Sequence, residues 1–138
     1  MMTKEQYIES LRRLKLNVYF MGEKIENPVD HPMIRPSMNS VAMTYELAEK
    51  EEYQDIMTAT SNLTGKKINR FCHLHQSPED LVKKVKMLRL LGQKTGSCFQ
   101  RCVGMDAFNA IYSTTYEIDK KHGTEYHKRQ RCPLCRQS

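Results

Sequence analysis

The chain has 138 residues and a mean hydropathy of −0.67, a length that allows at most one domain burying roughly two thirds of its unfolded surface. The formal net charge is +6, but residues 120–138 hold six Lys/Arg against one Glu and so carry five of these charges, which restricts any nucleic-acid contact to the tail. No apolar run approaches the ~20 residues of a membrane span, and the polar N-terminus lacks a signal-peptide core, so the sequence predicts a cytoplasmic protein without membrane contact.

The first part of the chain predicts a helix, a short strand pair and a loop. Thr3 and Gln6 have the spacing of a capping box, which predicts an amphipathic helix over residues 4–14. Residues 17–26 are rich in β-formers around a glycine and predict a short β-hairpin or an extended segment. Three prolines within residues 27–36 predict an ordered loop that is not helical.

A second helix is predicted over residues 37–50, because apolar side chains recur there every three or four positions. A short helical continuation through Met57 follows. Residues 58–66 are mostly turn-forming types, so the sequence predicts that the helix stops there.

Three residues of types that bind metals, Cys72, His73 and His75, fall within four positions. In an extended chain His73 and His75 share one face, whereas Cys72 points to the opposite face. We therefore expect a partly buried strand or loop here rather than a metal site.

A strong helix start follows at residues 77–80, where an N-cap serine precedes a proline at the first helical position and two acidic residues. The lysines of this helix are expected to form a solvated face, and Arg89 lies closer to the apolar edge. The predicted apolar stripe consists of Leu81, Val85, Leu88 and Leu91.

Two cysteines lie four residues apart at the next predicted helix start, which Ser97 would cap. On a helix the Cβ atoms of Cys98 and Cys102 would be ~5–6 Å apart, whereas a disulfide requires ~3.8 Å. A metal or cluster could therefore use both sulfurs more easily than they could bond to each other. The alternative is a pair of small buried cysteines in a helical core. The five cysteines, grouped as C-x3-C and C-x2-C with one other, suit a reducing compartment.

This helix is predicted to run to about Lys121 and to have two distinct faces. The first is an apolar stripe of Phe99, Val103, Ala107, Ala110 and Ile118. The second is polar and bears sulfur, with Cys98, Cys102, Met105, Asn109, Tyr112 and Tyr116. Such a second face predicts one wall of a buried site.

Four segments match a known family: GEKIEN at 22–27, DHPMIRPS at 30–37, INRF at 68–71 and LGQKTGSCFQRCVGMDAFNA at 91–110. With them, residues 6–129 resemble the N-terminal helical part of the 4-hydroxybutyryl-CoA dehydratase branch of the 4-hydroxyphenylacetate 3-hydroxylase family. The resemblance implies a mainly α fold, the N-terminal helical domain of an acyl-CoA-dehydrogenase-like flavoenzyme.

The resemblance also implies a site. Cys98 and Cys102 would be the first two protein ligands of a 4Fe-4S cluster, and Arg89 and Gln100 would line the active-site region.

The family's reaction dehydrates 4-hydroxybutyryl-CoA to crotonyl-CoA, with an associated isomerisation of vinylacetyl-CoA. The implied cofactors are FAD and the cluster, which would act as a Lewis acid toward the leaving hydroxyl. The complete enzyme is expected to bind an acyl-CoA substrate and to form a homo-oligomer, and the flavin-binding residues stay unknown.

The sequence departs from the family after Arg129. There the family continues into a β-domain and a C-terminal helical bundle, whereas residues 130–138 are a divergent basic tail. We therefore expect an N-terminal helical domain at 1–129, a truncated or frameshifted reading frame, and a chain that alone is inactive and holds neither cofactor stably.

Three alternatives stay open. Flavin-dependent 4-hydroxyphenylacetate 3-monooxygenases share the family's fold without the cluster, so the chain could be a fragment of such an enzyme. His127, Cys132 and Cys135 could contribute to a zinc site in the basic tail. The chain could also be a non-catalytic helical fragment that binds another copy or a complementary fragment through an exposed face.

Overall fold

A computed structural model describes residues 1–97 and 101–129 of the chain. Over these residues the fold is mainly helical, which confirms the predicted mainly α class. The elements in chain order are α1 (Lys4–Arg12), β1 (Val18–Phe20), β2 (Glu23–Ile25), α2 (Arg35–Glu49), a 3-10 turn (Glu51–Tyr53), α3 (Gln54–Met57), β3 (Thr58–Thr60), β4 (Lys67–Asn69), a second 3-10 turn (Arg70–Cys72), α4 (Pro78–Thr95) and α5 (Arg101–His122).

The N-terminal elements follow the predictions closely. The predicted capping box forms between Thr3 and Gln6, and α1 ends at Arg12, two residues before the predicted end. Strands β1 and β2 pair antiparallel, which confirms the hairpin. Its turn residues Met21 and Gly22 have φ of 54° and 85°, and positive φ at both positions is typical of the turn that matches the twist of a two-residue hairpin.

Helix α2 starts and stops differently from the prediction. It begins at Arg35, so Arg35 and Pro36 are helical and the expectation of a non-helical segment through residue 36 is wrong at its end. Proline is tolerated in the first helical turn because its missing N–H has no intrahelical acceptor there. The helical continuation through Met57 is interrupted, since Lys50 is extended at φ −76° and ψ 124° and a 3-10 turn separates α2 from α3.

A second hairpin replaces part of the predicted turn region. Strand β3 pairs antiparallel with β4, so that Ala59 lies opposite Ile68. The connecting turn has Gly65 at φ +69°. Strands of three residues are too short to show an alternating pattern, and their partner lies beyond the turn, so the sequence of residues 58–66 by itself indicates only the turn.

The core joins α2, α3, α4, α5 and the second 3-10 turn. Methionine contributes three of its fully buried side chains, and this unbranched side chain fills irregular gaps between helices. No helix in the described part of the chain is long and apolar enough to cross a membrane. The core residues are Leu47, Ala48, Met57, Phe71, Met87, Leu91 and Met105.

Helix α4 is rotated relative to the predicted apolar stripe. Met87 and Leu91 are fully buried, whereas Leu81 and Val85 are 49% and 63% exposed, so the predicted stripe is wrong at its first half. Two lysines that were expected to be solvated occupy the inner edges instead, because their ammonium groups reach acids on neighbouring helices. Lys83 pairs with Asp55 of α3, and Lys84 pairs with Asp106 of α5.

Helix α5 turns the predicted apolar stripe outward. Val103 is 64% exposed, and Ala107, Ala110 and Ile118 are also exposed, whereas Phe99 of this stripe lies outside the described residues. The first part of the polar, sulfur-bearing face packs inward, with Met105 buried and Cys102, Asn109 and Tyr112 half-buried, but Tyr116 of the same face is 55% exposed and Cys98 is not described. Hydrogen bonds from Arg101 and Asn109 to other elements fix this orientation, as described below.

Candidate functional site

The first described turn of α5 is held by Arg101. Its Nη1 donates a hydrogen bond to Thr44 Oγ1 at 2.7 Å, and its Nη2 lies 3.4 Å from the hydroxyl of Tyr45. The guanidinium carbon lies 5.2 Å from the centroid of the Tyr45 ring and 4.7 Å from that of Phe71. Tyr7 stacks on Tyr45, with ring centroids 4.8 Å apart. We call Tyr7, Tyr45, Arg101 and Phe71 the Arg101 column; it joins α1, α2, α5 and the second 3-10 turn.

Among the described residues, no carboxylate balances the charge of Arg101. No Asp or Glu in residues 1–97 or 101–129 lies within ion-pair distance of its guanidinium, which contacts hydroxyls and ring faces instead. Burial raises the pKa of the Cys72 thiol, and the nearby charge of Arg101 partly offsets this effect. A half-buried cation that has no acidic partner among the described residues stabilises the anionic form of a group that lies close to it.

Asn109 connects the inner face of α5 to the loop after the second 3-10 turn. Its Oδ1 accepts a hydrogen bond from the backbone N–H of His75 at 2.7 Å, and its Nδ2 donates to the carbonyl of His73 at 3.2 Å. Within the part of the chain that the structure describes, no group of three or more His, Cys, Asp or Glu could hold a metal ion.

Arg70 is buried and clamps the start of the second hairpin. Its Nε donates to the carbonyl of Ile56 at 2.7 Å, and its Nη2 donates to the carbonyls of Asp55 and Thr58 at 2.9 and 2.6 Å. Its Nη1 lies 3.6 Å from Asp80 Oδ1 in the first turn of α4. One guanidinium thus ties α3, β3 and α4 together.

Asp80 receives contacts from two sides. Its Oδ1 lies 3.1 Å from His73 Nε2, and its Oδ2 accepts hydrogen bonds from the backbone N–H groups of Gln76 and Ser77 at 2.9 and 3.2 Å. Burial alone would raise the pKa of Asp80, but the hydrogen bonds and the neighbouring His73 outweigh it and lower the pKa to about 2. The carboxylate therefore stabilises the fold as an anion.

We expect acid to destabilise the chain through Asp80. The pKa of Asp80 in the folded chain lies below the ordinary value, so the ionised carboxylate adds up to about 2 kcal/mol to the free energy of unfolding. This stabilisation is complete above pH ~4 and is lost as the pH falls to about 2. Asp80→Asn should lower the free energy of unfolding by a similar amount at pH 7 and flatten its pH dependence between pH 4 and 2. Urea unfolding at several pH values measures both effects. The control Glu79→Gln changes the adjacent exposed acid and should keep the slope; an unchanged slope in Asp80→Asn would contradict the assignment.

A polar cleft of about 570 Å³ lies beside Arg70 and Asp80, between α3, the second hairpin and the start of α4. Three Lys/Arg and three Asp/Glu side chains line it together with His73, so the lysines and arginine balance the carboxylates in number. Neither Arg89 nor Cys102 lines the cleft. The cleft is therefore distinct from Arg89 and Cys102, the two predicted site residues that the structure describes.

The structure describes only two of the four predicted site residues. Cys98 and Gln100 lie outside the described residues. Cys102 is half-buried on α5, and Arg89 is exposed on the outer side of α4, where no hydrogen bond or ion pair joins it to another residue of 1–97 or 101–129. The structure therefore does not bring Arg89 and Cys102 together by direct contact.

Cys102 could serve as one thiolate ligand of a metal centre, but the described residues around it do not complete a site. Cys102 lies on the inward-packed side of α5 and directly follows Arg101, whose charge has no carboxylate partner among the described residues. The described residues cannot supply a complete ligand set for a metal. A cluster at this position would need ligands from outside the described part of the chain.

His127 belongs to a small aromatic group at the end of α5. Its ring lies 4.3 Å from that of Tyr112, centroid to centroid, and its Nδ1 lies 3.1 Å from the Tyr112 carbonyl oxygen. Cys132 and Cys135 lie outside the described residues, so the zinc alternative stays a prediction.

Residues 3–132 match the model of the 4-hydroxyphenylacetate 3-hydroxylase N-terminal family, so the chain belongs to this family. It is 74% identical over 128 residues to the 4-hydroxybutyryl-CoA dehydratase/vinylacetyl-CoA-Δ-isomerase of Clostridium aminobutyricum, an alignment that covers 93% of this chain and 26% of that protein. The predicted resemblance is thereby confirmed. The 4-hydroxyphenylacetate 3-monooxygenase oxygenase component of Thermus thermophilus is 28% identical over 88 residues.

Two kinds of solved structure share the fold. An oxygen-tolerant archaeal 4-hydroxybutyryl-CoA dehydratase from N. maritimus superimposes with a TM-score of 0.90 at 58% identity, covering 96% of this chain and 26% of that chain. The oxygenase component of 4-hydroxyphenylacetate 3-monooxygenase, complexed with FAD and 4-hydroxyphenylacetate, gives 0.59 at 26% identity over 68% of this chain and 19% of that one. The fold is that of the N-terminal helical part of these acyl-CoA-dehydrogenase-like enzymes. The chain spans about a quarter of the length of the dehydratases it matches.

Sequence reasoning missed Arg101, Arg70 and Asp80 as organising residues. Asp80 is recognisable only as a first-turn acid, because its contacts to Arg70 and His73 depend on the tertiary fold. Arg101 carried one available signal, its position between two candidate ligands, but its partners lie more than 25 residues away in the chain.

Proposed function

We propose that this chain is the N-terminal quarter of an iron-sulfur flavoenzyme that dehydrates 4-hydroxybutyryl-CoA to crotonyl-CoA and isomerises vinylacetyl-CoA. The observation that supports this proposal most directly is the 74% identity to the Clostridium aminobutyricum dehydratase/isomerase over 128 residues. Acyl-CoA substrate binding, assembly into a homo-oligomer and a cytoplasmic location are parts of the same proposal for the complete enzyme.

Each cofactor has a separate basis. FAD is supported by the related oxygenase component, whose structure contains it. The 4Fe-4S cluster rests on the C-x3-C pair and its resemblance to the dehydratase branch. When bound, FAD would supply electron transfer and the cluster a Lewis acid for the leaving hydroxyl. Cys98 and Cys102 would hold part of the cluster, and Gln100 would line the substrate site beside them.

The surroundings of Arg89 suit a residue that the rest of an enzyme covers. Arg89 lies on the outer side of α4 one turn from Val85 and two turns from Val82, and both valines are about half exposed or more. This outer face also carries the exposed Lys86. If the rest of the enzyme covers the face, Arg89, which has no partner in the described residues, would lie in a low-dielectric setting. There Arg89 would orient a polar group of the substrate.

The proposal can be tested in a chimera in which this chain replaces the matching residues of the Clostridium aminobutyricum dehydratase; we call it the completed enzyme. We expect it to convert 4-hydroxybutyryl-CoA to crotonyl-CoA. Arg89→Met should lower kcat/KM by about 100-fold, because one positioned charged donor contributes on that order. Product formation is followed by chromatography under anaerobic conditions.

Arg13→Met is the matched control, since Arg13 is exposed directly after α1 and its side chain pairs only with Glu9 among the described residues. It should leave kcat/KM unchanged. A completed enzyme that binds FAD but hydroxylates 4-hydroxyphenylacetate instead would favour the monooxygenase alternative. A folded, cofactor-loaded enzyme that forms no crotonyl-CoA would refute the proposed reaction.

A second candidate describes the chain by itself: a non-catalytic helical fragment that binds through its outer faces. Its support is the set of exposed apolar side chains on α4 and α5, which includes Val85, Val103 and Tyr116. This candidate predicts concentration-dependent association of the isolated chain in sedimentation experiments, together with binding of an apolar dye. A monomer at high concentration that binds no dye would count against it.

A further inference from the structure

Arg101 has contacts that neither the proposed reaction nor the core explains. It forms hydrogen bonds with two residues of α2 and packs against Phe71 of the second 3-10 turn, at the distances given above. Of the four residues that follow it, only Met105 is fully buried, whereas Val103 and Gly104 are exposed. Arg101 and Met105 therefore both attach this turn to the rest of the domain.

The partners of Arg101 are themselves held in place. Thr44 is fully buried, and its hydroxyl donates to the Val41 carbonyl at 2.7 Å, so its oxygen is already oriented when it accepts from Arg101. Asn69 donates to the Thr44 carbonyl at 3.0 Å and accepts from the Phe71 N–H at 3.2 Å. Asn69 thereby links the two elements on either side of the guanidinium, and the Arg101 column is a fixed reference for the start of α5.

We propose that Arg101 is the positioning residue for Cys102: its guanidinium, hydrogen-bonded to Thr44 and packed against the rings of Tyr45 and Phe71, fixes the turn of α5 that carries this proposed cluster ligand. This inference rests on the proposed function. A cluster ligand must be held in a narrow range of geometry, and residues that orient metal ligands typically change metal affinity by about 10- to 100-fold when they are replaced. Lysine cannot substitute fully, because it lacks the planar fork that donates to a hydroxyl while stacking on rings.

The test uses the completed enzyme after anaerobic reconstitution with iron and sulfide. We expect Arg101→Met to release its iron to a chelator about 10-fold to 100-fold faster than the unmodified enzyme, and Arg101→Lys to be intermediate. Tyr45→Leu, which removes one ring face, should also speed the release. Tyr45→Phe keeps the ring but removes the hydroxyl that lies 3.4 Å from Arg101 Nη2, so it should speed the release less than Tyr45→Leu. Bound FAD is measured in every variant as a check on the fold.

A loss of overall stability must be separated from a loss of positioning. Ile68→Ala removes a buried side chain of β4 that lies outside the Arg101 column, and the midpoint of its thermal unfolding can be compared with that of Arg101→Met.

Iron release as slow in Arg101→Met as in the unmodified enzyme would overturn the proposal, and so would equally fast release in Ile68→Ala at the same loss of stability. If the unmodified completed enzyme takes up no cluster, the proposed function fails instead. If Arg101→Met does not fold, Arg101→Lys and Tyr45→Leu decide the outcome.

Discussion

The completed enzyme is expected to lose its cluster when either cysteine of the C-x3-C pair is replaced. An iron-sulfur cluster of the 4Fe-4S type normally needs about four protein ligands, so the loss of one thiolate from Cys98→Ala or Cys102→Ala should remove most of the bound iron. Iron and sulfide per subunit, together with the visible absorption band, measure this loss. The matched control is Cys72→Ala, because burial raises the pKa of the Cys72 thiol and so disfavours the thiolate form that a ligand requires.

The same ligand count predicts the behaviour of the 138-residue chain alone. Cys98 and Cys102 would be two of the roughly four protein ligands that a 4Fe-4S cluster normally needs, so we expect the purified chain to be colourless and inactive. Stable uptake of about four irons by the isolated chain would contradict the ligand assignment. Retention of the cluster in the completed enzyme after Cys98→Ala would contradict it as well.

A large loss of stability is expected from Leu91→Ala. Leu91 is fully buried in the core, so its truncation should lower the free energy of unfolding of the chain by about 2–5 kcal/mol through lost transfer energy and a residual cavity. The same change at Leu81, ten residues earlier on the same helix, should cost less than about 1 kcal/mol, because Leu81 is half exposed. Urea unfolding of both variants gives the comparison.

This pair of variants also tests the orientation of α4. The periodicity of the sequence places Leu81 and Leu91 on one stripe, and that stripe predicts similar costs for both truncations. The structure instead predicts a difference of several-fold. Equal losses of stability would mean that Leu81 is covered in the chain as it exists in solution, for example by self-association.

The sequence by itself determined the local structure. Thr3 with Gln6, and Ser77 with Pro78, specify helix starts because each cap satisfies backbone N–H groups within its own first turn. Gly96 in the left-handed region at φ 64° ends α4 for an equally local reason. The family, and with it the mainly α fold, was also recognisable from short sequence segments.

The tertiary structure decided which faces of the helices are buried. On α5 the aliphatic stripe faces outward, because Arg101 and Asn109 find fixed hydrogen-bond acceptors and donors on α2 and on the loop after the second 3-10 turn. On α4, Lys84 occupies an inner edge because Asp106 of α5 lies opposite it. These partners are 22 to 57 residues apart in the chain. The helical period of a sequence shows that two faces of a helix differ in polarity. Only the tertiary fold brings a hydrogen-bonding or ionic partner from a distant part of the chain to one of these faces. A polar face with such partners can therefore be buried while an apolar face without a neighbouring element stays exposed.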